Sequence, residues 1–161
     1  MMRVVKLAFL SFVILFVLIT AISAFIPAHV RISKAIDITG NKDSLLHLIS
    51  NRDQWVRWHP AFQMANSDSL FQKAKIVITP VLQTDSLITM NWQQPGKAPV
   101  VNGWQFHRFP SSHTVTLQWF MDFRLPWYPW QKFSSLFYEK TYGLMMDRGL
   151  QNIKNIVQEK P

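Results

Sequence analysis

Five histidines and nine carboxylic acids, with no cysteine, are the material from which this 161-residue chain could build a reactive or metal-binding site. Without cysteine, disulfides, thiol nucleophiles and cysteine-ligated metals are excluded. His29, His47, His59, His107 and His113 show no HExxH or similar pairing, and no carboxylate stands at ligand spacing from them, so no metal is expected. The two glutamates, Glu139 and Glu159, both fall in the terminal helical segment, where a solvated face is the natural reading. Asp37, Asp53 and Asp122 take outward strand positions or a capping site, and no GxSxG occurs. Hydrolase triads can be scattered along a chain, but no acid/base team is visible and no catalytic residue or cofactor is assigned.

The densest cluster of chemically versatile side chains is DQWVRWHP, residues 53–60. It places His59 beside Trp55 and Trp58, and imidazole titrates near neutral pH. Either His59 is the centre of a site or the stretch is architecture.

After these exclusions there remains an apolar surface with a few polar groups, the usual make-up of a small-molecule pocket. Met90, Trp92, Trp104, Phe106, Trp119, Met121 and Phe123 are the candidate lining from strands, with Leu144 and Leu150 facing them from a helix. Arg108, in the same alternation as Trp104 and Phe106, is the candidate anchor for an acidic headgroup. The same apolar residues would also serve as ordinary core, since a domain of this size needs most of its large side chains to offset chain ordering.

The elements that would position these residues can be read from periodicity. VRISKAIDIT, residues 30–39, alternates, with Val30, Ile32, Ile36 and Ile38 on one face and Lys34 as a charge among them. Gly40-Asn41 breaks this strand, and Asn41 or Asp43 can cap a helix through KDSLLHLIS. A second short helical turn, QWVRW, must end before Pro60, whose ring disfavours helix at His59. From Lys75 the period becomes two: KIVITPVLQ, SLITMNWQQ, VVNGWQFHRF and HTVTLQWFMDF are separated by Thr84-Asp85, Gln94-Pro95-Gly96-Lys97 and Pro110-Ser111-Ser112. Four strands joined by short turns predict an antiparallel meander. LPWYPW, residues 125–130, holds two prolines and is a rigid corner rather than a central strand. Helical spacing then returns, and one long helix, bent near Gly143, is expected to close the chain.

Ahead of all this, Leu7 to Ile26 are twenty consecutive residues without a charge. At 1.5 Å per residue such a helix spans about 30 Å, the hydrocarbon core of a bilayer. A cleaved signal peptide competes, because Arg3 and Lys6 make an n-region and Ala21-Ile22-Ser23 offers small residues. The apolar run continues past Ser23 through Phe25 and Ile26, which favours an anchor over residues 1–28 and a single domain over 29–161. Arg3 and Lys6 hold the front end in the cytoplasm, although Arg31, Lys34 and Lys42 weaken the asymmetry. The expected arrangement is a single-pass membrane protein with its domain on the extracytoplasmic side. The net charge of +8 comes from scattered basic residues rather than a clustered face, so nucleic acid is not an expected partner. Attraction to anionic lipid headgroups accounts for it more simply.

The order of strand, two short helices, meander and long terminal helix resembles the helix-grip fold of the START-like, polyketide cyclase/dehydrase (SRPBCC) superfamily. RISKAIDITGNKDSLLHLISNRDQWVRWHPAF, residues 31–62, looks like that family's entry segment with its tryptophan-x-x-tryptophan-x-proline turn. GLMMDRGLQNIKNIVQE, residues 143–159, looks like its terminal helix, with Gly149-Leu150 and Ile153-Lys154 in the matching places. The resemblance implies an α+β fold in which an antiparallel sheet wraps around the long C-terminal helix and leaves an apolar cavity. It also implies that Trp55 and Trp58 wedge the small helices against the sheet and that His59 caps or hydrogen-bonds at the turn. The four-strand meander is shorter than the six strands common in the family, which implies a smaller cavity.

Three functions fit this frame. The first is a membrane-tethered domain that binds an apolar or amphipathic, lipid-like small molecule without chemistry. The second is a cyclase or dehydrase in which His59 or His107 acts as acid or base. The third is an interaction module with a filled core, whose exposed Trp127, Tyr128 and Trp130 dock a membrane surface or a protein partner.

Overall fold

The computed structural model describes residues 2–64, 71–108 and 114–159. The expected turn at Pro110-Ser111-Ser112 and His113 lie outside these residues. The chain opens with a 23-residue helix, α1 (Met2–Ala24), with a mean hydropathy of 2.7 over its best window and almost every side chain exposed. It is long and apolar enough to cross a membrane.

Alternating sequence gives the five strands β1 (His29–Thr39), β2 (Val77–Gln83), β3 (Leu87–Gln93), β4 (Val100–Arg108) and β5 (Thr114–Arg124). They form one antiparallel sheet in the order β1-β5-β4-β3-β2, so the first strand closes the meander by pairing with the last. Pro80 sits in the edge strand β2, where its missing N–H is tolerated, beside a register shift between Pro80 and Leu82. Along β5 the inner face is Val115, Leu117, Trp119, Met121 and Phe123, all buried, as the alternation predicts.

Between β1 and β2 lie α2 (Lys42–Ser50), a 3-10 turn (Arg52–Gln54), α3 (Trp55–Trp58) and α4 (Pro60–Gln63). The Asn41 side chain accepts from the Asp43 N–H at 2.9 Å and caps α2, and Asn51 repeats the device for Asp53 at 3.0 Å. Leu45, Leu48 and Ile49 are buried while His47 faces water.

The segment after the corner is not one unbroken helix. The corner leads into α5 (Pro129–Ser135), then a π-helical turn (Glu139–Gly143) runs directly into α6 (Leu144–Gln158). Met146, Gly149, Leu150 and Ile153 form the buried stripe of α6. Leu144, expected among the inward-facing residues, is 57% exposed. At about 100° per residue a step of two turns a side chain through about 200°, so Leu144 cannot share a face with Met146. Gly149 lets α6 approach the sheet, since a Cβ there would lie 2.7 Å from Trp119 Cζ3 and 3.3 Å from Pro60 Cδ. Lys34, the charge on the apolar face of β1, reaches over to the terminal helix and ion-pairs with Glu139 at 2.6 Å and Asp147 at 3.8 Å.

Candidate functional site

The tryptophan turn is architecture. Trp55 and Trp58 are both wholly buried, and their indole N–H groups donate to Ile49 O at 2.8 Å and Leu48 O at 3.0 Å. Those carbonyls belong to the last turn of α2, so the indoles satisfy acceptors that a helix end otherwise leaves open. Pro60 forces His59 to extended geometry (φ −84°, ψ 115°), which ends α3. The His59 Nδ1 then accepts from the Ala61 N–H at 3.2 Å and caps α4, a turn that periodicity alone did not show. With Nδ1 accepting, the ring proton resides on Nε2.

The surroundings of that imidazole decide what it can do. It is wholly buried, with ring centroids at 5.0 Å from Phe62, 5.1 Å from Trp119, 5.2 Å from Trp58, 5.6 Å from Trp92 and 5.7 Å from Trp55. Burial pushes its pKa from 6.5 down to about 3, because the aromatic box offers nothing to solvate a cation. His59 is therefore neutral at physiological pH. Trp92 Nε1, Trp104 Nε1 and Asn102 Nδ2 join His59 Nε2 as buried donors without an acceptor among the described residues.

This box fills the layer between sheet and α6 at its middle and far end. Trp104 and Trp119 stack at 5.6 Å, and Trp58 meets each edge-on at 6.2 and 5.7 Å. Of the residues expected to line a cavity, Met90, Trp104, Phe106, Trp119, Met121 and Leu150 are packed here in one buried cluster, and Trp92 lies half-buried against it. Arg108 is exposed at the end of β4, on a shallow depression shared with Thr39, Asn41 and Val115. His107 is exposed beside it.

Phe123 is buried in the same cluster and carries it toward the start of the terminal helix. It forms a triangle with Tyr138 and Tyr142, at 4.7 and 4.9 Å from them, with the tyrosines 5.4 Å from each other. Together with Val100, Tyr128 and Gln131 these rings wall a cavity of about 440 Å³ at the end of the sheet where β1 begins. Half-buried Tyr142 has its pKa raised, first by burial and then by Tyr138. A larger cleft of about 930 Å³ opens at the opposite end between α2 and the end of α6. Asp43, Ser44, His47 and Arg57 along it are exposed, which makes it a solvated surface groove; the smaller cavity is also edged by exposed residues, among them Lys97 and Arg124, but it is the one that gathers several aromatic rings, the kind of wall an apolar ligand needs. Sequence reasoning passed over Tyr138 and Tyr142, although they continue the buried stripe of α6 backwards in steps of four: 138, 142, 146, 150.

No family model matches the sequence, and no curated protein is similar to it. Solved structures are similar in fold. The di-domain ARO/CYC protein StfQ from the steffimycin biosynthetic pathway superposes with a TM-score of 0.59 at 10% identity, over 83% of this chain and 52% of that one. XoxI from Bacillus cereus does so at 0.55 and 14% identity, over 82% and 96%. A START superfamily protein from Mycobacterium smegmatis gives 0.54 at 11% identity, over 81% and 99%. With its five-stranded antiparallel sheet set against a long C-terminal helix, the chain has a START-like, helix-grip fold.

Proposed function

We propose that this chain is a membrane-tethered binding domain that holds an apolar or amphipathic small molecule in the cavity walled by Phe123, Tyr138 and Tyr142. The observation that carries the reading is that cavity: about 440 Å³ lies within the range of small-molecule sites, and Phe123, Tyr128, Tyr138 and Tyr142 bring four aromatic rings to its lining, with Lys97 and Arg124 at its edge. α1 supports the tether by its length and hydropathy, and Arg3 and Lys6 at its front favour a domain outside the cytoplasm. The cavity also differs from the one expected, lying at the open end of the sheet rather than beneath the middle of the helix. Acid/base chemistry by His59 is disfavoured, since a neutral imidazole enclosed by five rings lines none of the cavities described above.

The test is native mass spectrometry of the full chain released from detergent or nanodiscs. A co-purified small molecule is expected, and Val100→Phe, which projects a ring into the cavity opposite Phe123, is expected to abolish its retention. An empty wild-type protein that also fails to take up a fluorescent apolar probe, or undiminished retention by Val100→Phe, would refute the reading.

A further inference from the structure

The corner between β5 and the terminal helix exposes large apolar side chains that water does not favour. Trp127, Trp130, Leu136 and Phe137 are 67%, 61%, 64% and 66% exposed, and Phe25, just past the end of α1, is 90% exposed. The aromatics form one block: Tyr128 stacks on Trp130 at 5.0 Å and meets Trp127 at a tilt at 4.9 Å.

This block is fastened to the end of α1. α5 packs against α1, Lys132 Nζ donates to Ile26 O at 3.0 Å, and the Leu125 N–H donates to Ala28 O at 2.8 Å. The membrane-length stretch Leu7 to Ile26 is followed at once by Pro27, so the block lies where a spanning α1 would leave hydrocarbon for headgroups. Tryptophan and tyrosine favour that layer, and the neighbouring Lys97, Arg124 and Lys132 suit its anionic lipids.

We propose that Phe25, Trp127, Trp130, Leu136 and Phe137 form a collar seated in the headgroup layer of the bilayer that α1 crosses, so that the domain stands on the membrane instead of swinging from it. This rests on the reading of α1 as a membrane span. Tyr128 and Gln131 belong both to this corner and to the cavity wall, so a seated collar holds the cavity at the lipid surface. The bound molecule can then pass between leaflet and cavity without crossing bulk water.

Because the chain has no cysteine, single nitroxide labels can be placed without background. Four full-length variants, Phe12→Cys within α1, Trp130→Cys and Phe137→Cys in the collar, and Asp43→Cys on α2, all replace exposed residues. Position 43 follows the far end of β1, an 11-residue strand that runs about 33 Å from its collar end. In phosphatidylcholine/phosphatidylglycerol vesicles, collision with oxygen and with an aqueous nickel chelate reports the depth of each label. The expectation is a deep label at 12, shallow lipid-exposed labels at 130 and 137, and an aqueous label at 43. A deep label at 12 with 130 and 137 as chelate-accessible as 43 overturns the collar alone. Aqueous labels at 12, 130 and 137 overturn both the span and the collar, whereas lipid exposure at 130 and 137 with an aqueous 12 overturns the span and with it the collar as a seat around α1, leaving a surface that touches lipid without a tether. Protection of 130 and 137 from both reagents means that protein covers the patch and overturns the collar.

Discussion

Under the middle of α6, Trp58, Trp104 and Trp119 pack ring against ring with Met146, Leu150 and Ile153, and none of the cavities described above is lined by these residues. Under the π-helical turn, Phe123, Tyr138 and Tyr142 are just as close to one another yet wall a cavity of about 440 Å³. The difference lies in what else reaches each end. α2, α3 and α4 plug the first with Leu45, Ile49, Trp55 and Phe62, and Gly149 draws α6 down onto Trp119. Among the described residues it is the exposed corner, and not a set of helices like α2 to α4, that lines the second, and Tyr142 of the π-helical turn packs there on Phe123. Ring content alone therefore does not separate a core from a pocket. What separates them is whether a third layer closes over the rings.

The contrast is broken most severely by Trp58→Ala. The loss of a fully buried indole that also donates to Leu48 O is expected to cost about 3–5 kcal/mol in denaturant unfolding. A cost below about 1 kcal/mol would mean that the closed end is not the keystone of the fold. The next largest effect comes from pH. The folded-state pKa of His59 is about 3 against 6.5 unfolded, so as pH falls the unfolded chain binds this proton first. Its contribution is complete above pH 6.5 and is lost progressively between 6.5 and about 3, amounting to about 2 kcal/mol by pH 5. Denaturation midpoints at pH 7 and pH 5 for wild type and His59→Gln check this. The variant should lose much less than the wild type on acidification, and equal losses would show that His59 is not buried neutral.

Most of the architecture was legible because alternation and capping are local signals. Val30 to Thr39, the four later strands, the Asn41 cap and the stop before Pro60 all follow from neighbouring residues. The π-helical turn was not legible, since Glu139-Lys140-Thr141-Tyr142-Gly143 has no local mark that separates i+5 from i+4 hydrogen bonding. The candidate site was legible only in part. Phe123 was visible by alternation, and Tyr138 and Tyr142 were available as steps of four from Met146. That Trp104 and Trp119 would be sealed while a cavity opened beside the equally buried Phe123 depends on where α2 to α4 dock, a matter of long-range packing that one-face periodicity does not encode.

Gly149→Ala sharpens the account of how the closed end was closed. The new methyl would meet Trp119 Cζ3 at 2.7 Å, and overpacking of this kind costs about 1–3 kcal/mol. Alanine returns up to about 1 kcal/mol of helix propensity. The net expected in equilibrium unfolding is about 1 kcal/mol of destabilisation, and a net gain would show that the helix has room to rise from the sheet. The smallest effect belongs to the open end. Tyr142 lines the cavity, so water can serve its hydroxyl in place of any protein partner, and Tyr142→Phe removes the oxygen without changing the ring that packs on Phe123. Satisfied hydroxyls are worth about 1 kcal/mol and buried unsatisfied ones cost 1–3, whereas a hydroxyl exchangeable with water is worth close to nothing. The shift expected in the unfolding midpoint therefore corresponds to less than about 0.5 kcal/mol. A loss as large as that from Gly149→Ala would mean that the tyrosine hydroxyl is held inside a closed core, and the distinction between the two ends would fall with it.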